Sequence, residues 1–119
     1  MQDDAYLQNS QLAQWNGEGA SGSNATWIAN YLKTETFVWV EGTEDIVVWP
    51  REGEQWGAMS PDDPWGTVQP MNETAWYTTD SFGLRTADAA GKNHFESFKG
   101  NHIQFTTDEL YGWLDTYFA

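Results

Sequence analysis

The run Thr36-Phe37-Val38-Trp39-Val40 is β-branched and aromatic without polar alternation, and it limits the architecture more than any other stretch of the chain. A strand with one wet face alternates apolar with polar residues, whereas a strand lacking that alternation is covered on both faces, as in parallel sheets. The run stops at the loop-forming cluster Glu41-Gly42-Thr43-Glu44-Asp45. The apolar stretch after it, Ile46-Val47-Val48-Trp49, meets Pro50, which cannot sit inside a paired central strand. Asp45 is therefore expected on a loop at the carboxyl end of a buried strand.

Around this strand the pattern is mostly helical. Tyr6, Leu7, Leu12 and Trp15 form a patchy stripe that predicts a short, partly exposed helix, and Gly17 to Ser23 reads as a flexible loop. Trp27 to Leu32 has helical spacing, with Asn24 or Thr26 as its cap. Pro50 to Pro70 is dense in Pro, Gly and Asp and predicts an irregular crossover, followed by a short helix capped by Asp80 or Ser81 and ended by Gly91. Phe95-Glu96-Ser97-Phe98 reads as a second strand ending in the loop Gly100-Asn101-His102. In the closing helix Thr106 and Glu109 have capping-box spacing, while Leu110, Trp113, Leu114, Tyr117 and Phe118 recur along one face. The order strand, long helical crossover, strand, helix is that of an α/β fold with a parallel sheet. Two parallel strands under one layer of helix cannot cover both faces, so the chain is expected to be the last part of a larger domain.

Charge and composition narrow the function. Eighteen acidic residues against five basic ones give a net charge of −13, which leaves no cationic surface for nucleic acid or anionic membrane. Cysteine is absent, which excludes disulfides and thiolate chemistry. No apolar run reaches the roughly 18 to 20 residues that span a bilayer, and the acidic start from Met1 to Asp4 is unlike a secretory signal. The sequons Asn24-Ala25-Thr26 and Asn72-Glu73-Thr74 make Asn24 and Asn72 glycosylation candidates, which matters only on the secretory route.

Asp45 and His102 each follow a predicted strand, where open α/β sheets gather ligands and catalytic groups. An Asp that orients a His is two-thirds of a hydrolytic triad, and the chain order Asp then His is that of α/β-hydrolases, although no G-x-S-x-G elbow occurs here. In so acidic a chain a loop Asp is commonly a solvated charge, so the pattern alone leaves both roles open. His94, at a strand start, reads as structural. Asp62-Asp63 and Glu52 with Glu54 lack the spacing of a calcium loop and read as solvated charge. The Trp residues share no period and read as packing rather than as a sugar-stacking row.

The segments around these residues carry a family resemblance. Asp45-Ile46-Val47-Val48-Trp49-Pro50-Arg51-Glu52, then Trp56-Gly57, resembles the palmitoyl-protein thioesterase family, with its Asp, four mostly apolar residues, Pro, and a segment ending near Trp-Phe-Gly. Pro70 to Asp80 is similar to its Pro-Leu-x-Glu-Thr-x-x-Tyr-Thr-x-Asp, and Phe82-Gly83-Leu84-Arg85 to its Leu-Gly-Leu-Lys. Ala87 to Lys92 resembles Met-Asp-x-Ala-Gly-Lys, Gly100 to Thr106 resembles Gly-x-His-Leu-x-x-Ser, and Leu12 to Glu18 resembles Leu-Ala-Asp-Ile-Asn-x-Glu. The chain departs from the family at Gln55-Trp56, at Ala58-Met59 and at Asn101, where Asp is common.

The resemblance implies the C-terminal portion of an α/β-hydrolase, with residues 1–33 as a cap-like helical segment and 34–119 as the final strands and closing helix. It makes Asp45 the triad acid and His102 the general base, places the nucleophilic Ser in preceding sequence, and requires no cofactor or metal. The implied substrates are proteins or peptides S-acylated with long chains, and the implied compartment is the lysosome or the secretory route. The rival expectations are a non-catalytic, acidic, Trp-rich carbohydrate-binding β-sandwich and an inactive relative that keeps the fold.

Overall fold

The computed structural model describes residues 4–119, so the first three residues of the 1–33 segment lie outside the described part. The helix expected near the start is two helices, α1 (Asp4–Asn9) and α2 (Gln11–Trp15). Ser10 divides them, because its hydroxyl accepts from the Leu12 amide at 3.2 Å and opens a new helix. Helix α3 (Ala25–Tyr31) is capped by Asn24, whose Oδ1 accepts from the amides of Thr26 and Trp27 at 3.0 and 3.1 Å. Gly17, between α2 and α3, has a φ of +69°, and a Cβ there would lie 2.2 Å from the Ser81 carbonyl oxygen, so only glycine allows this approach.

Strand β1 (Phe37–Gly42) pairs in parallel with β4 (Asn93–Phe98), in a register from Phe37 opposite Asn93 to Gly42 opposite Phe98. Both strands are longer than the apolar runs suggest, because ladder pairing carries Glu41, Gly42, Asn93 and His94 into the sheet. Residues 43–92 form the crossover. It holds a 3-10 turn (Arg51–Gln55), the antiparallel pair β2 (Ala58–Met59) and β3 (Val68–Gln69), a second 3-10 turn (Met71–Glu73) and the short helices α4 (Ala75–Thr78) and α5 (Leu84–Ala89). The small β2–β3 ladder lies in what the composition suggested was irregular chain. Helix α5 starts after Gly83 rather than at Asp80 or Ser81, yet the Asp80 carboxylate still serves it by accepting from the amides of Arg85 and Thr86.

Paired residues of parallel strands share a face, so Phe37 and Trp39 lie on one side of the pair with Asn93 and Phe95. On that side Tyr31, Phe37, Trp39, Trp56 and Phe82 close a ring of aromatic contacts, with successive centroids 4.6 to 5.7 Å apart. This cluster ties α3, β1 and the two ends of the crossover together. Buried Ala13, Phe82, Leu84 and Ala87 continue the core beneath it. On the other side lies α6 (Thr107–Tyr117), which has the expected capping box: Thr106 accepts from the Glu109 amide while the Glu109 carboxylate accepts from the Thr106 amide. The His94 ring packs against Tyr117 at 4.6 Å with a 35° tilt, which fits its structural reading, and Phe98, Phe105 and Trp113 pack together.

Within the described residues the strands are not covered on both faces. Apart from Gly42, β1 is half-buried, because it has a single neighbouring strand among the described residues and α6 lies over only part of one face. Among the described residues no helix is long and apolar enough to cross a membrane.

Candidate active site

The carboxyl ends of β1 and β4 are stitched together by their loops. Thr43 and Glu44 donate backbone bonds to the carbonyls of Phe98 and Gly100 at 3.0 and 2.9 Å, and the Ile46 amide donates to Asn101 Oδ1 at 3.1 Å. Asn101 Oδ1 also accepts from the His102 amide at 2.7 Å, so one side-chain oxygen holds both loops. A carboxylate would accept in the same way, which explains how Asn stands where the resemblance expects Asp. Gly42 makes the approach possible, since a Cβ there would lie 3.0 Å from the Gly100 carbonyl oxygen and 3.1 Å from the Phe98 ring.

This stitching brings Asp45 and His102, 57 residues apart in sequence, into contact: Asp45 Oδ2 lies 2.8 Å from His102 Nδ1. Asp45 Oδ1 accepts from the amides of Val47 and Val48 at 2.6 and 3.0 Å. The Asp45 side chain is fully covered, while the His102 side chain is 34% exposed. Burial by itself would push the Asp45 carboxyl up, but the Val48 and Val47 amides and His102 outweigh it and hold the carboxyl below the usual carboxylate range. An ionised Asp45 accepts only, so His102 donates from Nδ1. The imidazole is thereby held through its Nδ1 edge. Ile103, next in the chain, sits at a φ of +57°, an outlier for a β-branched residue and a mark of the tight turn that aims the ring.

Glu54 was not singled out by the sequence beyond being a solvated charge, yet its Oε1 lies 3.6 Å from His102 Nδ1. Only the 3-10 turn brings it there, so spacing alone gives no sign of it. Asp45, Glu54 and His102 offer ligand atoms within 4.8 Å of one another. Those atoms are engaged with each other and with the amides of Gly42, Val47 and Val48, so the donor set is a hydrogen-bonded network rather than a cation cage. Asp63 is also locally engaged, accepting from the Thr67 hydroxyl at 2.8 Å.

Beside the Asp45 loop an open cleft of about 790 Å³ is walled by Val48, Trp49, Pro50, Met59, Trp65 and Trp76 among others. Trp49 and Trp65 are 76% and 78% exposed, which corrects their reading as packing residues among the described residues: both line the wall of this open cleft. Trp39 and Trp56, by contrast, do pack. Asn24 and Asn72 are both exposed.

A parallel strand pair with a long crossover is α/β architecture and is unlike the antiparallel sandwich of the carbohydrate-binding alternative. The chain belongs to the palmitoyl protein thioesterase family, whose family model matches residues 1–102. It is 33% identical over 99 residues to palmitoyl-protein thioesterase 1 of Caenorhabditis elegans, covering 83% of this chain and 32% of that protein. To the lysosomal thioesterase PPT2 of Mus musculus and of Homo sapiens it is 36% identical over 90 residues, covering 75% of this chain and 29% of those proteins. The chain thus spans about a third of the length of the curated relatives it matches.

Proposed function

We propose that this chain supplies the acid and base of a serine thioesterase that removes long acyl groups from cysteines of proteins or peptides. The observation that carries the reading is the covered Asp45 carboxylate 2.8 Å from Nδ1 of a part-exposed His102, at the carboxyl edge of a parallel pair. In this reading a Ser from preceding sequence attacks the thioester carbonyl and gives its proton to His102 Nε2, while Asp45 holds Nδ1–H and stabilises the imidazolium. The leaving sulfur takes that proton from the imidazolium and departs as the thiol; His102 then takes a proton from water, the resulting hydroxide attacks the acyl-enzyme, and His102 returns the proton to the Ser oxygen as the fatty acid is released. A thiolate is a good leaving group, so the demand on His102 as an acid is modest. The apolar cleft that begins at Val48 suits the acyl chain.

Residues 1–33 act as a cap-like helical segment, and residues 34–119 act as the last strands and closing helix of an α/β-hydrolase domain. In this reading the rest of the sheet precedes them. The lysosome is the proposed compartment, by way of the relatives that carry it in their names, and glycosylation at the exposed Asn24 and Asn72 accords with that route.

The test is hydrolysis of an S-palmitoyl cysteine peptide by the protein that carries this chain together with its preceding sequence. Turnover that is lost in His102→Ala supports the reading. Lack of a G-x-S-x-G elbow in the preceding sequence, with no turnover by the natural protein, favours an inactive relative instead.

A further inference from the structure

A second carboxylate faces the same imidazole nitrogen as Asp45, and the two-residue acid–base pair gives it no task. Glu54 Oε1 lies 3.6 Å from His102 Nδ1, and its Oε2 accepts the Gly42 amide at 2.9 Å. The side chain is 15% exposed. Its position is set by the sheet rather than by a free stem. The neighbouring Gln55 donates from Nε2 to the Glu96 carbonyl at 2.8 Å, and Trp56, next again, is locked into the aromatic ring at 5.1 Å from Trp39. Gly42, the partner of Oε2, is the last residue of β1 and the start of the loop that presents Asp45.

We propose, resting on the thioesterase reading, that Glu54 is a positioning residue of the reaction: it supplies a second anion to the His102 imidazolium and pins the strand end from which the Asp45 loop springs. When Nε2 takes up the nucleophile's proton, the ring gains a positive charge that Asp45 and Glu54 then face together. An opposite charge within about 4 to 6 Å favours the protonated ring. Other charges near this corner include Glu41 on β1, Arg51 and Glu52 on the same turn as Glu54, and Glu44 and Lys99 in the loops that follow the two strands. Arg51 is committed elsewhere, with Nε 3.3 Å from Glu41 and Nη1 donating to the Thr43 carbonyl at 2.9 Å. It therefore does not cancel Glu54 at His102.

The role is tested by following kcat and KM against pH for an S-palmitoyl cysteine peptide, using the protein that carries this chain with its nucleophile. Glu54→Gln keeps an oxygen for the Gly42 amide and removes the charge. It is expected to lower plateau kcat about three- to thirtyfold with KM little changed, and to displace the acid limb of the pH profile to lower pH. The deficit then narrows as the pH falls. Glu54→Asp keeps the charge but retracts it from Nδ1, and an intermediate loss and shift are expected. An unmoved acid limb and unchanged kcat in Glu54→Gln, even with a lower melting temperature, would reduce Glu54 to a structural residue; if that variant does not fold, the same result in Glu54→Asp decides. Full activity in His102→Ala overturns the thioesterase reading itself, whereas an inactive His102→Ala beside an unaffected Glu54→Gln overturns the Glu54 role alone.

Discussion

The corner where β1 and β4 end and the helix α6 that lies along β4 are held by different kinds of force. At the corner, polar groups answer one another over short distances: Asp45 with His102 and two amides, Asn101 with the amides of Ile46 and His102, and Glu54 with Gly42. Along α6 the backbone is closed by a full capping box, and Trp113 and Tyr117 reach the sheet, but Leu110, Leu114 and Phe118 face outward. Hydrogen bonds need only the right neighbour, and capping needs only the chain itself. Apolar stabilisation grows with the area removed from water, so it stays incomplete wherever a second layer is missing. The difference teaches that the geometry of the Asp45–His102 pair is self-contained while the stability of its frame is not.

Breaking the corner chemically gives the largest expected effect. Asp45→Asn or His102→Ala in the protein with its nucleophile is expected to lower kcat by about 10³- to 10⁴-fold, with circular dichroism unchanged. Asp45 also makes this corner sensitive to acid. Its carboxyl is depressed in the fold, so its stabilising contribution is present above the ordinary carboxylate value and fades as the pH falls through the depressed one. Asp45→Asn should flatten that part of the stability–pH curve in acid melts.

Phe98 belongs to both regions, buried beneath α6 against Phe105 and Trp113 and close to Gly42 and Gly100. Phe98→Ala should therefore cost about 3 to 5 kcal/mol in denaturant melts and reduce activity along with stability. Asn101→Ala leaves the Ile46 and His102 amides without their acceptor, a loss of about 1 to 3 kcal/mol, while Asn101→Asp should restore both activity and stability. Thr106→Ala removes one arm of the capping box, for about 1 kcal/mol, and should leave kcat unchanged. A kcat loss in Thr106→Ala would show that helix and corner are coupled after all.

How far the sequence could be read follows the same division. Helix α6 was legible because its signals are local: a cap three residues from its Glu partner and an apolar stripe at helical spacing. The parallel pair was legible from an apolar run without alternation, but its ends were not, because Glu41 and Gly42 enter the sheet through pairing with Ser97 and Phe98. Asp45 and His102 stood out by following the strands. Glu54 did not, since its approach to His102 depends on a 3-10 turn held by the Glu96 carbonyl and the aromatic ring. Likewise the β2–β3 pair has two residues per strand, too few for any periodicity. Trp49 and Trp65 look in sequence like the Trp residues that pack, and only the path of the crossover tells them apart.

The stitching of the two loops has an evolutionary corollary. Because Thr43, Glu44 and Ile46 are bonded directly to Phe98, Gly100 and Asn101, the separation of acid and base is fixed by the strand ends and not by the chain that runs between them. Insertions and deletions in the exposed stretch from Pro61 to Trp65 can then accumulate without moving Asp45 relative to His102. The wall of the cleft can thus change shape while the contact between Asp45 and His102 is left as it is.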